Sequence, residues 1–487
     1  MPALQVALPL LAATLAVLGR RAGFAFIVVL AASWAALVIA VLLWLQVADG
    51  SVISYAMGNW RPPWGIEYRV DRLSAFILVL VSGMAAITLP YCRASVAREV
   101  RPEQHYLFYA MMALCFAGLL GITITGDAFN VFVFLEVSSL STYVLIALGR
   151  DRRALLASFQ YLIMGTIGAT FIVIGVGLLY LKTGTLNLAD MSVRLQEMTS
   201  HRPVLAALAM LTVGISLKLA LFPLHQWLPN AYTYAPSAVS AFLAGTATKV
   251  SVYLLIRFYY SVFGEHEVFF HMPIPEIMLG LSLAAMFVAS FVAALQDNLK
   301  KLLAYSSVAQ IGYITLGLSF DSVHGLTASL THLFNHAVTK GALFMLVGGA
   351  VAMLGNASFS RLAGLARTMP LTSFGIVIGG LGLIGVPGTA GFVGKWYLIL
   401  AALEKGQWLV VFAILASSLL AVVYVWRFVE QAYFREPAAD TPKGEAPLAM
   451  LVPSLLLLAA TVWLGFDTSL TVGSASEAAR MLLGVGQ

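Results

Sequence analysis

Apolar tracts of about 20 residues recur along the whole chain, and they constrain its fold more than any other feature of the sequence. A tract of this length crosses a bilayer as one α-helix, because each backbone polar group is then satisfied within the helix. Of the 487 residues, 60% are hydrophobic and only 10% are charged, which excludes an ordinary soluble domain. The sequence predicts an all-α polytopic membrane protein, since the short alternating segments of a β-barrel are not seen.

We predict about 14 transmembrane helices from the positions of these tracts. The loops between them are short, so the chain is expected to form a single membrane domain over residues 1–487. The predicted helices lie near residues 3–19, 24–47, 72–91, 105–125, 128–148, 155–181, 204–223, 237–260, 273–295, 302–320, 325–354, 371–403, 408–428 and 447–466.

Basic residues are distributed unevenly between the two sets of predicted loops. Loops that follow odd-numbered helices hold 15 of the 28 Lys and Arg residues, the other loops and the C-terminal segment hold nine, and four lie inside predicted helices. Because cytoplasmic loops are enriched in basic residues, this count predicts a bacterial-type plasma membrane protein with both termini outside. The net charge of +6 is therefore not interpreted as a sign of nucleic-acid binding.

The sequence contains no recognisable catalytic or cofactor motif. Cys92 and Cys115 lie in or beside apolar tracts without metal-ligand spacing, so we expect no iron–sulfur cluster, zinc site, haem or other cofactor. No nucleophile–base set or nucleotide-binding loop is found. We expect a transporter subunit without a catalytic centre of its own, which leaves open a place in a redox-driven complex.

Eight ionisable residues lie inside the predicted membrane segments. An ionised group at bilayer depth costs roughly 2.5–3.5 kcal/mol on insertion scales, so each needs a partner or a function. Burial favours the neutral form of lysine and of glutamic acid, and a nearby opposite charge restores the charged form. Such groups can take up and release protons. The eight are Glu136, Lys218, His225, Lys249, His332, His336, Lys340 and Lys395.

Glu136 and Lys218 form the natural pair, because Glu136 is the one acidic residue placed deep in a predicted helix. The pair is interpreted as a lysine whose proton loading is set by the glutamate, and the alternative is a static buried salt bridge. Lys249 is expected to link this pair to the next groups, unless it extends to the membrane surface.

His332, His336 and Lys340 recur every four residues and form a stripe on one helical face. Their spacing predicts a proton wire. Two histidines at this spacing also suit a metal ion, but no carboxylate or thiolate lies nearby in sequence, so no metal site is expected.

Two proline-containing segments predict breaks within membrane helices. The first holds Pro223 and Pro229, and the second holds Pro387 and Gly388. Unwound backbone at membrane depth is tolerated where protein or water lines it. His225 in the first break is therefore a candidate proton relay, although it could simply hold the loop. Lys395 follows the second break, and its alternative is extension to the surface.

A weak internal repeat relates the two halves of the chain. EVSSLSTYVLIALG at 136–149 resembles AYSSVAQIGYITLG at 304–317, and Lys218 and Lys395 adjoin the two breaks at a similar separation. The repeat suggests two related bundles, over 105–260 and 273–428. Repeats with broken helices at matching positions are common in ion transporters.

Five segments carry a resemblance to a known family. FLEVSSLSTYVLIAL, LKLALFPLHQWLPNAYTYAPSAVSAFLAG, TKVSVYLLIR, HLFNHAVTKGALFMLVGG and GVPGTAGFVGKW resemble the antiporter-like family. That family comprises proton-translocating subunits of respiratory complex I, their equivalents in membrane-bound hydrogenases, and the large subunits of Mrp-type cation/proton antiporters. VDRLSAF before the third predicted helix resembles a further family signature.

The resemblance implies two inverted five-helix repeats, each with a broken helix. It also implies a polar axis from the Glu136–Lys218 pair, through Lys249 and the histidines, to Lys395. The chain looks most similar to the D-type member of the Mrp antiporters, although FPLHQWLP with His225 is more like the complex I and hydrogenase members.

The function expected from this resemblance is proton translocation in a multi-subunit Na⁺/H⁺ antiporter, with other membrane subunits as partners. The alternatives are a proton-pumping subunit of a complex I-like NADH:quinone oxidoreductase or membrane-bound hydrogenase, and an inactive scaffold.

Overall fold

The computed structural model describes residues 1–196, 198, 202–264, 272–439 and 441–485, and most of these residues are helical. One two-stranded antiparallel hairpin, β1 (Ile53–Ala56) and β2 (Glu67–Val70), lies between the second and third helices. The helices are α1 Pro2–Gly19, α2 Ala22–Gln46, α3 Arg72–Glu99, α4 His105–Ile124, α5 Ala128–Ala147, α6 Arg153–Thr183, α7 Leu188–Leu195, α8 Arg202–Leu219, α9 Trp227–Tyr234, α10 Ser237–Gly245, α11 Ala247–Ile256, α12 Ile274–Ala294, α13 Leu299–Ser319, α14 Val323–Leu354, α15 Leu365–Thr368, α16 Pro370–Ile384, α17 Ala390–Glu404, α18 Trp408–Val429, α19 Leu448–Phe466 and α20 Ser474–Leu482.

These helices provide the fourteen predicted membrane crossings. Among the described residues, thirteen helical segments are long and apolar enough to cross a membrane, and α10 with α11 counts as one of them. The remaining crossing is made by α16 and α17 together, because each half has only 15 residues. The predicted all-α polytopic fold is confirmed, whereas the inverted relation of the two repeats stays a prediction.

Polar side chains at loop positions set where several membrane helices begin. Asp71 starts α3 with a reciprocal capping box, in which its carboxylate accepts from the Ser74 N–H and its own N–H donates to the Ser74 hydroxyl. Asp127 caps α5 and Asn298 caps α13 in the simpler one-way manner. These caps satisfy N–H groups that have no acceptor within their own helix.

The helix ends lie on two opposite faces of the molecule, and contacts between loops identify which ends share a face. On the first, which we call the terminal face because both termini lie there, Tyr68 bridges to Thr125 and Arg72 approaches Glu477 of α20. On the opposite face, Asn298 bridges to Ser358. We call the second the basic face, because its loops are those with the larger number of Lys and Arg residues. It comprises the loops at 20–21, 100–104, 148–152, 235–236, 295–298, 355–369 and 435–447.

Glycines bring the central helices close together. A Cβ added at Gly214 of α8 would lie 2.7 Å from the Gly168 carbonyl of α6, and one added at Gly317 of α13 would lie 2.7 Å from the Gly325 carbonyl of α14. Small residues at such crossings permit the close backbone packing that holds membrane helices together. Helices α3, α13 and α14 are buried on nearly all sides, whereas α2, α6, α12 and α18 expose apolar surface.

Both predicted breaks are present, at residues 220–226 and 385–389, but Pro229 is not part of either. The prediction that it helps to break the helix is wrong: it is the third residue of α9. A proline is tolerated there because the N–H groups of a first helical turn have no intrahelical acceptor. Pro223 lies within the first break, and Pro387 and Gly388 lie within the second.

Candidate functional site

The predicted pair of Glu136 and Lys218 meets between α5 and α8. Their Oε1 and Nζ atoms are 3.7 Å apart, and Lys218 donates its hydrogen bond to Ser139 Oγ at 2.8 Å instead. Glu136 Oε1 is buried and has no hydrogen-bond donor in the described residues. A buried ion pair that serves only packing needs close, fully hydrogen-bonded geometry. This pair is looser, so the ammonium can move between the serine and the carboxylate.

Lys218 is placed by the end of its own helix. It is the next-to-last residue of α8, and Trp227 closes the break behind it by donating from Nε1 to the Leu217 carbonyl at 2.9 Å. A cavity of about 20 Å³ lies between Lys218 and Ser251 of α11. That volume suits about one water molecule, and Ser139 and Thr142 supply polar groups around it.

Lys249 points into the protein and away from both membrane faces. Its side chain is buried, and Nζ donates to the Ala244 carbonyl in a short hydrogen bond. That carbonyl faces the kink at Thr246, where φ is −129° and ψ is −61° between α10 and α11. This geometry disfavours extension to the surface. Arg257, two turns further along, does reach the terminal face and pairs there with Asp71.

The stripe on α14 is buried over its whole length. The His332 and His336 rings are parallel within 8° with centroids 6.2 Å apart. His332 Nε2 lies 2.8 Å from Gln310 Oε1, whereas neither ring nitrogen of His336 has a hydrogen-bond partner in the described residues. Lys340 follows His336 by one helical turn on the same face of α14, and Lys249 is close enough for its charge to act on the ring. The histidine can therefore accept a proton from either side.

Lys340 is bound by α13. Its Nζ donates to the Leu303 carbonyl at 2.7 Å and, in a short bond, to Ser306 Oγ. No cluster of three or more His, Cys, Asp or Glu side chains suited to a metal ion occurs in the described part of the chain. The environment of this stripe is thus one of hydroxyl, amide and carbonyl groups.

Lys395 binds the C-terminal end of α16, which is the first half of the second broken helix. Its Nζ donates to Ile384 O at 2.8 Å, Leu383 O at 3.1 Å and Ser418 Oγ at 2.9 Å, which uses all three N–H donors of an ammonium. The ring of Tyr313 lies 4.4 Å from the same nitrogen. A positive charge is favourable at the C-terminal end of a helix, where the carbonyl groups point.

Two glycines of the motif around Lys395 make room for ionisable side chains. Gly385 has φ +86°, and an added Cβ would lie 2.9 Å from Lys395 Cδ. A Cβ at Gly394 would lie 2.6 Å from His332 Nδ1. Both glycines are therefore needed for space, and Gly385 is needed for its backbone conformation as well.

Gln310 connects the α14 stripe to Lys395. Its Oε1 contacts His332, and its Nε2 donates to the Leu383 carbonyl at 3.4 Å. The same carbonyl accepts from Lys395. Seven of the eight predicted residues lie within the helices from α5 to α17, and we call this set the ionisable row. From α5 to α17 its members are Glu136, Lys218, Lys249, Lys340, His336, His332 and Lys395.

His225 lies beside the row. It occupies the first break, partly buried, with its ring stacked on Phe222 at a centroid distance of 5.3 Å and 6.4 Å from the ring of Tyr305. Its Nδ1 is buried without a hydrogen-bond partner in the described residues. Tyr305 directly precedes Ser306, so His225 lies near the Lys340 site.

The uncharged partners of the row were not predicted from the sequence. The internal repeat gave one signal, because each copy contains a pair of serines. In the first copy Ser139 binds Lys218, and in the second Ser306 binds Lys340. The buried pair of Asp71 and Arg257 was also missed, although Asp71 belongs to the VDRLSAF segment.

Comparison with known proteins gives a consistent picture. A family model described as NADH:quinone oxidoreductase/Mrp antiporter, TM, matches residues 125–421. NADH-quinone oxidoreductase subunit N of Desulforudis audaxviator is 42% identical over 485 residues, which covers 96% of this chain and 95% of that protein. The D subunit of the Na⁺/H⁺ antiporter of Bacillus subtilis is 30% identical over 457 residues, which covers 93% of this chain and 91% of the relative.

A solved structure is similar over almost the full length. A chain of the Mrp complex from Dietzia sp. superimposes with a TM-score of 0.91 at 27% identity, and the match covers 99% of this chain and 97% of that one.

Proposed function

Because the chain belongs to the family of membrane proteins described as NADH:quinone oxidoreductase/Mrp antiporter, we propose that it is the proton-translocating subunit of a multi-subunit Na⁺/H⁺ antiporter. The observation that carries this proposal is the ionisable row, in which seven ionisable side chains from Glu136 to Lys395 lie within the membrane helices. The partners are other membrane subunits, as in the Mrp complex that this chain resembles. The transported ions are H⁺ and Na⁺.

Each group of the row has a distinct part in proton transfer. A neutral lysine amine accepts a proton, and the resulting ammonium is held by the carbonyl or hydroxyl groups around it. Lys218 alone faces a carboxylate, so movement of its Nζ between Ser139 and Glu136 changes how tightly the proton is held. His336 accepts at one ring nitrogen while the other releases, which passes a proton along α14.

We assign the basic face to the cytoplasm of a bacterial-type plasma membrane, with both termini outside. The distribution of Lys and Arg between the loops supports this assignment. Residues 105–260 and 273–428 are proposed as the two antiporter-like bundles. The two helix breaks, one adjoining Lys218 and one adjoining Lys395, support that division.

A second candidate is a proton-pumping subunit of a complex I-like NADH:quinone oxidoreductase. The specific observation in its favour is the 42% identity with the oxidoreductase relative, against 30% with the antiporter relative. The same row of residues would serve either complex, because only the source of energy differs.

The two candidates are separated by expressing the intact operon in an antiporter-deficient strain at high Na⁺ concentration. The proposal predicts growth rescue, and predicts Na⁺-dependent dissipation of a pH gradient in inverted vesicles. Absence of rescue, together with loss of quinone-linked respiration after deletion of the gene in its own host, would overturn it in favour of the second candidate.

A purely scaffolding role is the third possibility, and it predicts a different experimental result. In that case Lys218→Ala would assemble normally and leave proton flux of the whole complex unchanged. The proposal requires the opposite result, a loss of at least tenfold in flux with normal assembly.

A further inference from the structure

A cleft of about 620 Å³ opens on the basic face, between the ends of α3, α9, α13 and α14. Its walls carry both charged and polar groups, among them Arg98, Glu99, Asp151 and Arg153. The guanidinium of Arg153 binds the Asp151 carboxylate and holds the pKa of that group below its ordinary value, so Asp151 stays ionised at neutral pH. A cleft with these walls is hydrated.

Lys300 lines this cleft although its own side chain is buried. The residue is only 5% exposed, and it is the second residue of α13. Its Nζ donates to the Ala235 carbonyl at 2.8 Å, in the segment between α9 and α10. An ammonium has three donors, so two remain for water of the cleft. No carboxylate lies within ion-pair distance of Lys300 in the described part of the chain.

Glu99 lines the same cleft, where its carboxylate is bound by the start of α10 and by Ser95 of its own helix. Its carboxylate accepts from the Ser237 N–H at 2.9 Å and hydroxyl at 3.0 Å, and from Ser95 Oγ at 2.6 Å. Glu99 therefore fixes the start of α10, and it is the carboxylate whose charge acts on Lys300, from beyond ion-pair distance. Lys300 is a buried amine whose contacts are a backbone carbonyl on one side and the cleft on the other.

Helix α13, which carries Lys300, also binds Lys340, the next lysine toward the membrane interior. Lys340 of the ionisable row donates to the Leu303 carbonyl and to Ser306 Oγ, which lie three and six residues beyond Lys300 on α13. At about 1.5 Å per residue, those acceptors lie roughly 4.5–9 Å deeper along the helix. A flexible lysine side chain and one intervening water molecule can bridge that separation.

Resting on the proposed proton translocation, we propose that Lys300 is the proton-uptake residue that connects the cleft of the basic face to the ionisable row. The neutral Lys300 amine accepts a proton from hydronium in the cleft. It then gives the proton to the neutral amine of Lys340, directly or through water, and becomes neutral again. Only N–H and O–H bonds form and break, and no electrons are exchanged.

Lys300 has an alternative structural role, as a cation that caps the C-terminal end of α9 through the Ala235 carbonyl. Arginine separates the two roles. It keeps the positive charge and the hydrogen-bond donors, but it does not release a proton within the accessible pH range. A capping role is retained in Lys300→Arg, whereas an uptake role is lost.

The experiment measures proton flux by the whole complex in vesicles carrying Lys300→Arg or Lys300→Ala. The matched control is Lys301→Ala, a change at the neighbouring, less buried lysine. We expect a decrease of at least tenfold in both Lys300 variants, normal flux in the control, and equal amounts of assembled complex. Lys218→Ala serves as the benchmark for the row itself.

Two results would overturn the inference in different ways. Wild-type flux in Lys300→Arg, with flux abolished in Lys218→Ala, would leave the proposed function intact and reduce Lys300 to a helix cap. Wild-type flux in Lys218→Ala would overturn the proposed function, and the uptake role would be lost with it.

A second measurement does not depend on transport. Lys300→Cys is made in a background in which Cys92 and Cys115, both buried, are replaced by serine. We expect a membrane-impermeant thiol reagent to modify this cysteine from the basic face only, and to leave Lys340→Cys unmodified in the same background. Failure to modify Lys300→Cys from that face would show that the cleft does not deliver water to this position.

Discussion

At the scale of single residues, three of the four lysines of the ionisable row, all except Lys218, share one mode of binding. Lys249 and Lys395 donate to carbonyl groups freed at a kink and at a helix end, and Lys340 donates to a carbonyl and a serine. Carbonyl and hydroxyl oxygens satisfy the donors of an ammonium without neutralising its charge. Such a site holds a protonated lysine weakly enough for the proton to leave, which a close carboxylate would oppose.

Lys395→Ala tests the end of the row. We expect proton flux to fall at least tenfold while the protein inserts and assembles, because the methyl side chain cannot carry a proton. The measurement is dissipation of a pH gradient in inverted vesicles. The matched control is Lys405→Ala at the exposed end of the same helix, which should transport normally. Normal flux in Lys395→Ala would contradict the role assigned to this residue.

Glu136→Gln and Ser139→Ala test the two ligands of Lys218 separately. The glutamine variant removes the carboxylate that faces the ammonium, so we expect a loss of tenfold or more in flux. The alanine variant removes one hydrogen bond to a neutral hydroxyl and keeps the carboxylate, so a smaller loss of about fivefold, equivalent to about 1 kcal/mol, is expected. Both are measured in the assembled complex. Equal effects of the two changes would argue against a special role for the carboxylate.

At the scale of elements, each broken helix places a lysine beside its break, but the two lysines use their breaks differently. Lys218 lies at the end of the helix before the break, whereas Lys395 lies in the helix after it and reaches back across. The second break is therefore held closed by a side chain whose bonds depend on its protonation state. The first break is closed by a hydrogen bond from Trp227, whose indole does not titrate.

Gly394→Ala tests the packing at the second break. The added methyl would meet His332 Nδ1 at 2.6 Å and His332 Cα at 2.9 Å, so α14 and α17 must separate. Overpacking of this kind costs about 1–3 kcal/mol, and we expect a lower thermal midpoint together with reduced flux. Gly280→Ala, in α12 with nothing within 4 Å of the added Cβ, should leave both unchanged or raise stability slightly. Similar behaviour of the two variants would contradict this account.

The sequence predicts the members of the row better than their surroundings. A charged residue within an apolar tract stands out because it is costly there, and Glu136 and Lys218 are recognisable for that reason. Ser139 and Gln310 do not stand out, because many uncharged polar residues occur in membrane helices and only packing decides which face a lysine. In the sequence, Lys300 is counted with the basic residues of the loops. It lies near a helix end, and nothing in the sequence indicates that its side chain is buried.

Local backbone rules also have limits. Pro223 and Pro229 in one segment indicate a break, yet they do not give its boundaries, because a proline at the start of a new helix leaves the same signature as one in a loop. The hairpin of β1 and β2 falls in a segment that the sequence marks only as polar, since two strands of four residues give too little alternation to recognise.

At the scale of the whole molecule, the even number of crossings places both termini on one face, and the internal ion pairs hold that face together. Arg72 at the start of α3 approaches Glu477 of α20, and Asp71 pairs with Arg257. The C-terminal helix is thereby attached to the beginning of a central membrane helix. The orientation of the chain in the membrane is defined by whether the terminal face or the basic face lies at the cytoplasm.

Reporter fusions test that orientation. Alkaline phosphatase fused after residue 485 should be active, and green fluorescent protein at the same site should be dark, because we expect the terminal face to lie outside the cytoplasm. Insertion of the same reporters between residues 438 and 444 should give the reverse pattern. The opposite pair of results would invert the assignment of the faces without changing the fold.

The composition of the row limits how many protons it holds at once. Its four lysines face a single carboxylate within the described structure, so protonation of all four lysines would leave three unbalanced positive charges in the membrane interior, even with both histidines neutral. At roughly 2.5–3.5 kcal/mol for each charge, the total free-energy cost is comparable to the free energy of unfolding of a typical domain. The row therefore contains more sites than protons. In the proposed mechanism a proton therefore advances only into an amine that has just been emptied, so vacancies travel in one direction while protons travel in the other.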